Sequence, residues 1–274
     1  MSTRSKLNKI LLIILFASLI LVIVFYFLKN RLPDKSKLDS NLGSSPIQNT
    51  ESVPEPFNID KKGANYQITP VQSYEMWGLV VAINNNEAWY SRFKKTDPLN
   101  TRDLCLVFGN TAMSGAYQKV KFKSQEFFCF YSYKEYQPDF SEKEVANNHF
   151  IVADSEIYKT LSQVRVGDQV HFKGYLSNYK IEKDGEIIFS RGTSLTRDDT
   201  GNGACETVYL KSFEVIKKNH PLIYYLYWVF WIIFIICFIL FFIIYFWLDK
   251  NKGQNKNSQI KEKQFKQVLP PDLS

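Results

Sequence analysis

Two long uncharged runs frame the chain, Ile10 to Leu28 and Leu222 to Leu248, and between them apolar residues recur in short alternating stretches. The second run has 27 residues without a formal charge. At roughly 1.5 Å per residue it makes about 40 Å of helix, against a hydrocarbon core of about 30 Å. It predicts a transmembrane helix over 222–248 that begins after Pro221. Tyr224, Tyr225, Tyr227 and Trp228 lie at one end and Tyr245 and Trp247 at the other, where amphipathic aromatics favour the water interface. The first run, 10–28, follows a basic flank over residues 1–9. It exceeds the apolar core of a cleavable signal and lacks a small-residue cleavage site, which predicts an uncleaved signal anchor. Neither span contains a charge or Gly-x-x-x-Gly, as expected of anchors more than of a transport path.

Residues 29–65 are rich in Ser, Asn, Asp, Lys and Pro with no sustained apolar period, and predict a flexible linker. Residues 66–218 predict one β-domain. Strand patterns run over 74–83, 104–108, 119–122 and 126–133. A helix capped by Asp154 and Ser155 follows through Ser162, then a turn at Val166, Gly167 and Asp168. Gln169 to Tyr179 comes next, with Val170, Phe172, Gly174 and Leu176 on one face, and strands over 186–190 and 206–216 close the domain. Several strands with one helix ahead of the closing pair predict a mainly β fold, an OB-like small β-barrel with one helix, flanked by two transmembrane helices. A β-sandwich with an inserted helix is the alternative. Residues 249–274 predict a disordered basic tail.

The net charge of +7 suggests nucleic acid until it is divided. Met1 to Leu28 holds three basic residues and no acid, and Asp249 to Ser274 holds six Lys against three acids, leaving the rest near neutral. No nucleic-acid partner is expected, and the lipid bilayer is. The charge bias at the second span puts both termini in the cytoplasm and the β-domain outside it. The first span is nearly neutral in this respect, since Lys29, Arg31, Lys35 and Lys37 offset Arg4, Lys6 and Lys9.

Of four cysteines, Cys237 lies in the second span, so Cys105, Cys129 and Cys205 permit one disulfide in the domain. Cys105 with Cys129 is the first choice, because both sit in neighbouring strand patterns. No paired Cys-x-x-Cys occurs, which argues against structural zinc, and no cofactor motif is found.

The segment 191–206, RGTSLTRDDTGNGACE, crowds polar, acidic and glycine residues between two strands. Arg191, Arg197, Asp198, Asp199, Asn202 and Glu206 are its candidate ligand-binding residues. Asp198, Thr200 and Asn202 before Gly203 echo a calcium loop, with Glu206 as a non-standard contributor, but Tyr209 stands where the bidentate Glu belongs. A structural turn is the favoured alternative. Cys205 with His149 is the one pairing that would support nucleophilic catalysis, with Asn147 or Asn148 orienting the ring; a disulfide or buried thiol is the plainer expectation for Cys205. Ser194, His149 and Asp198 form a weaker set without a nucleophile elbow. Asn147, Asn148 and His149 read as a polar patch between strand 126–133 and the helix, His149 being a hydrogen-bonded loop residue. His171 falls on a polar strand face and His220 at the membrane edge. Trp89 to Lys95 interleaves aromatics with cations and predicts strand packing with exposed ends, or a ligand or headgroup surface.

Together, NNH at 147–149, VGDQVHFKGYL at 166–176 and DTGNGACETVYL at 199–210 resemble a group of bacterial membrane-anchored proteins of no established activity. The resemblance covers about residues 74–216 and implies a bacterial inner-membrane protein with its domain periplasmic or extracellular; it carries over no catalytic residue. The functional expectation is a binding or assembly domain near the membrane with an envelope protein as partner. The alternatives are a Cys/His envelope hydrolase and a cation-stabilised module.

Overall fold

The computed structural model describes residues 3–199 and 204–268. The chain divides into two compact units, one made of its two terminal helices and the other of residues Asn30–Asn219.

The first unit holds α1 (Thr3–Lys29) and the C-terminal helix, Pro221–Val268. Asn8–Lys29 and Pro221–Tyr245 are long and apolar enough to cross a membrane, and only 17% and 6% of their most apolar windows are buried. Such exposure distinguishes them from core helices of a soluble fold. They pack on each other through Phe25 and Phe230, stacked at 5.5 Å, and through Lys29 Nζ, 3.6 Å from the centre of the Tyr227 ring. The C-terminal helix continues through Val268 where a disordered tail was expected.

In the second unit the elements run β1 (Ile47–Asn49), β2 (Phe57–Lys61), β3 (Ala64–Asn85), α2 (Phe93–Thr96), β4 (Asn100–Val107) and α3 (Gly109–Met113). They continue β5 (Val120–Gln125), β6 (Phe128–Tyr133), β7 (Val145–Ile151), α4 (Ser155–Ser162), β8 (Gln169–Lys183), β9 (Glu186–Arg191) and β10 (Glu206–Lys217), so the terminal helix is α5. The unit is mainly β. The 22-residue β3 pairs with β8 along most of its length and with β4 at its end. Antiparallel β4–β7, parallel β7–β10 and antiparallel β10–β8 pairings complete a circuit through these five strands.

Alternation explains the interior. Tyr74, Met76 and Val80 of β3, Leu104 and Leu106 of β4, Ala146 and Phe150 of β7, Phe172 of β8 and Val208 of β10 share one buried cluster. α4 adds Leu161 to it, its start fixed by the Asp154 carboxylate, which accepts from the amides of Glu156 and Ile157. Where β8 crosses β10 the backbones come so close that a Cβ on Gly174 would stand 2.2 Å from the Tyr209 carbonyl oxygen. Only glycine fits there.

Of residues 29–65, expected as a flexible linker, Lys29 ends α1 and 30–65 are built into the unit. β1 and β2 both pair with β3, and Leu42 is fully buried. Gln169 ties the segment down, accepting from the Asp39 amide at 2.6 Å and donating to the Lys37 carbonyl at 3.0 Å. Asn219 donates to the Arg31 carbonyl at 2.9 Å, so the unit's entry and exit are bonded together. The segment escaped notice because its few apolar residues are spread without a period and are buried by contacts distant in sequence.

Candidate functional site

The outward face of β7 decides where the chemistry sits. Asn148 and Phe150 point into the core, so Asn147 and His149 point to the other side, flanked by β4 and β10. Asn147, Asn148 and His149 are therefore buried strand residues and not the polar loop expected from sequence. On β4 the register sets Asp103 opposite His149 and Cys105 opposite Asn147. Cys205 precedes β10, whose first residues pair with Asn148 and His149.

Asp103, His149 and Cys205 form an oblique row: Asp103 faces His149 across β4 and β7, whereas Thr207 is the register partner of His149 on β10 and Cys205, just ahead of that strand, lies diagonal to His149 on the Asn147 side. His149 Nδ1 lies 2.8 Å from Asp103 Oδ1, and their side chains are 1% and 0% exposed. The approach is off-axis for a hydrogen bond, so the attraction is chiefly one of charge. Burial disfavours the imidazolium, but the charge and contact of Asp103, with Cys205, outweigh it and raise the His149 pKa. Burial likewise pushes the Cys205 thiol up. The neighbouring His149 ring and its charge, the Asn147 amide and the charge of Arg191 override that and hold its pKa below the ordinary thiol value, although neither ring nitrogen of His149 makes a hydrogen bond. Both shifts favour a thiolate–imidazolium pair.

The β5–β6 hairpin covers this row. A disulfide joins Cys105 of β4 to Cys129 of β6 and fixes the hairpin to the sheet. Phe127, at the hairpin turn, accepts from the Asn147 amide at 2.6 Å and from Cys205 Sγ at 3.4 Å, and its ring meets His149 edge-on at 5.5 Å. Asn147 Nδ2 also lies 3.3 Å from Cys205 Sγ. Cys205 is a free, half-buried thiol that lines two cavities, one of about 550 Å³ and one of about 410 Å³. His149 and Arg191 line the smaller, and Asn147, Arg197, Asp198 and Asp199 the larger.

The other sequence candidates divide. Arg191 lies over the Phe127 ring at 3.6 Å, beside the thiol. Arg197 pairs with the buried Glu206 and donates to the Lys143 and Val145 carbonyls, so both serve to join the loop to β7. Asp198 is exposed and pairs with Lys143. The Ser194 hydroxyl has the Asp199 carboxylate at 2.5 Å and the Thr196 carbonyl at 2.8 Å as acceptors for its one proton, so the Ser194, His149 and Asp198 set is not assembled. Asn202 lies outside the described residues. With Glu206 held by Arg197 and Asp198 by Lys143, the proposed cation set is not convergent; among the described residues no group of three or more His, Cys, Asp or Glu is placed to hold a metal ion.

Trp89 to Lys95 forms the connection from β3 to β4, including α2, and not a strand. Trp89 and Tyr90 are 89% and 73% exposed. His171 stacks on Trp77 at 4.2 Å and sits between Glu75 and Glu214, on the far side of β8 from the core.

Asp103 was missed from sequence. Its signal was the one acidic residue in the strand TRDLCLV, two residues from Cys105 and so on the same face. No family model, curated protein or solved structure matches the chain significantly.

Proposed function

We propose that the chain is a bacterial inner-membrane protein whose two terminal helices anchor an outward-facing OB-like barrel, and that this domain carries a nucleophilic cysteine for acyl transfer or hydrolysis. Both termini are cytoplasmic and the domain periplasmic or extracellular, as the charge bias at α5 and the resemblance to the bacterial group favour. Support for the barrel comes from the pairing circuit β3–β4–β7–β10–β8–β3 with α4 between β7 and β8 in the chain, an order that OB folds use.

The observation that carries the chemistry is the row Asp103, His149, Cys205. Asp103 orients and charges the imidazole, His149 draws the proton from the thiol, and Cys205 attacks. The thiolate sulfur bonds to a carbonyl carbon and the leaving group departs with the proton of His149. Water then gives a proton to the imidazole and its oxygen to the carbonyl, releasing the acid and restoring the thiol. Phe127 and its hairpin exclude bulk water from the row.

The test is a pH profile of Cys205 alkylation by iodoacetamide on the full-length protein in detergent, with intact mass after exposure to an activated p-nitrophenyl ester. A reactivity midpoint below that of a free thiol, lost in His149→Gln, and a thioester adduct absent from Cys205→Ser are expected. An ordinary thiol profile with no adduct would sink the proposal.

A second reading, a binding or assembly module for an envelope protein, rests on the exposed Trp89 and Tyr90. Crosslinks to one envelope protein that vanish in Trp89→Ala/Tyr90→Ala, with the thiol ordinary, would favour it.

A further inference from the structure

Resting on the nucleophilic-cysteine proposal, the question is what the cavity beside Cys205 admits. The smaller cavity, about 410 Å³, is lined by Phe127, Phe128, His149, Phe189, Arg191 and Cys205 among others. Three of these are aromatic and one is a fixed cation. The Arg191 guanidinium carbon is 3.6 Å from the centre of the Phe127 ring and 5.9 Å from that of Phe189. Such stacking holds the planar group while leaving its N–H edge for an in-plane acceptor.

One donor of that edge is not used by the protein. Arg191 Nη1 is shielded from solvent and has no hydrogen-bond partner, and Arg191 forms no ion pair within 4.0 Å among the described residues. The buried carboxylate that senses its charge, Asp97, is instead bonded by the hydroxyls of Tyr66 and Tyr179 and the amide of Asn100. Arg191 is half-buried, and its one shielded, unpartnered donor at Nη1 is a cost to the fold unless an acceptor arrives. Arg197, by contrast, is ion-paired with Glu206 and donates to two carbonyls, so its charge is already matched.

We infer that Arg191 is a substrate-binding residue and that the cavity takes a small electrophile bearing a carboxylate close to its reactive carbonyl. The two guanidinium donors would face the carboxylate in plane, and Phe127, Phe128 and Phe189 would enclose the apolar part. The neutral remainder of the molecule presents its carbonyl carbon to Cys205.

Iodoacetate and iodoacetamide have nearly the same shape and differ in charge, so the ratio of their rates at Cys205 reads the anion site directly. We expect the ratio in the full-length protein to exceed that of glutathione by about tenfold, the effect of a charged hydrogen bond. Arg191→Gln should return it to the glutathione value, and Arg191→Lys should retain part of the preference. Measuring above the thiol midpoint removes the influence of Arg191 on ionisation. A thiol that is activated toward iodoacetamide but has the glutathione ratio would overturn the anion site and leave the nucleophile intact. A sluggish, ordinary thiol toward both reagents would overturn the nucleophile as well. Should Arg191→Gln fail to fold, the ratio in the unsubstituted protein against glutathione still decides.

Discussion

Asp103 and His149 face each other as cross-strand partners on β4 and β7, Oδ1 to Nδ1 at 2.8 Å, both withdrawn from solvent. A raised imidazole pKa follows, and its effect on stability has a definite sign. The stabilisation contributed by His149 protonation is complete below the ordinary imidazole value of about 6.5 and is lost as pH rises through the folded value. Asp103→Asn should cost about 1–3 kcal/mol at pH 6, and the deficit relative to the unsubstituted protein should shrink toward pH 9. Urea titrations at the two pH values check it. The same variant should slow Cys205 alkylation at pH 7 about tenfold, because a neutral His149 no longer supports the thiolate.

The disulfide between Cys105 and Cys129 closes a loop of sequence separation 24 and fixes the hairpin over the row. Cys105→Ala/Cys129→Ala should lower stability by about 3 kcal/mol on the chain-entropy model. Cys205 should also become more open to bulky maleimides, since Phe127 is then held only by its side-chain and backbone contacts. Denaturation midpoints and labelling rates with a small and a large maleimide distinguish the two effects.

At Gly174 a methyl group would press on the Tyr209 carbonyl at 2.2 Å, and that backbone belongs to the paired strand β10. Gly174→Ala should destabilise the domain by about 3 kcal/mol, the upper part of the range for overpacking. The thermal midpoint measures the loss, with Gly185→Ala as comparison: a Cβ there meets nothing within 4 Å, although its φ of +83° adds local strain.

Asp97 is buried and accepts hydrogen bonds from Tyr66 at 3.3 Å and from Tyr179. Burial outweighs these bonds and raises its pKa. Its protonation therefore contributes stability below the unfolded carboxylate value, and that contribution is lost as pH rises through the folded value. Asp97→Asn does not titrate, so its stability relative to the unsubstituted protein should rise between pH 4 and pH 7. Equal differences at both pH values would contradict a raised pKa.

For the membrane arrangement, protease added to spheroplasts with an intact inner membrane should cut within residues 30–219. If the proposed orientation holds, it should leave the C-terminal end of α5 intact, as reported by an epitope at the C terminus. Cleavage of the domain only after lysis would reverse the topology.

Local pattern was enough for some of this protein. The two apolar helices, the mainly β character of the domain, α4 with its Asp154 cap, and the strands at β8 and β10 all announce themselves through charge-free length or period-two alternation. Cys205 and His149 could be named as chemistry-bearing residues by type, although 56 positions apart nothing local joined them. Tertiary structure decided the rest. β7 carries two asparagines and a histidine on a strand flanked on both sides, and such a strand is concealed when its polar residues meet partners from other strands. The pairing of β7 with β4 brought Asp103 to His149, and its parallel pairing with β10 set Thr207 opposite His149 and so carried Cys205, two residues earlier, to the Asn147 side of the ring, because register across a sheet places residues that sequence separation hides. Residues 30–65 likewise look unstructured until the long-range contacts of Leu42, Gln169 and Asn219 bury them.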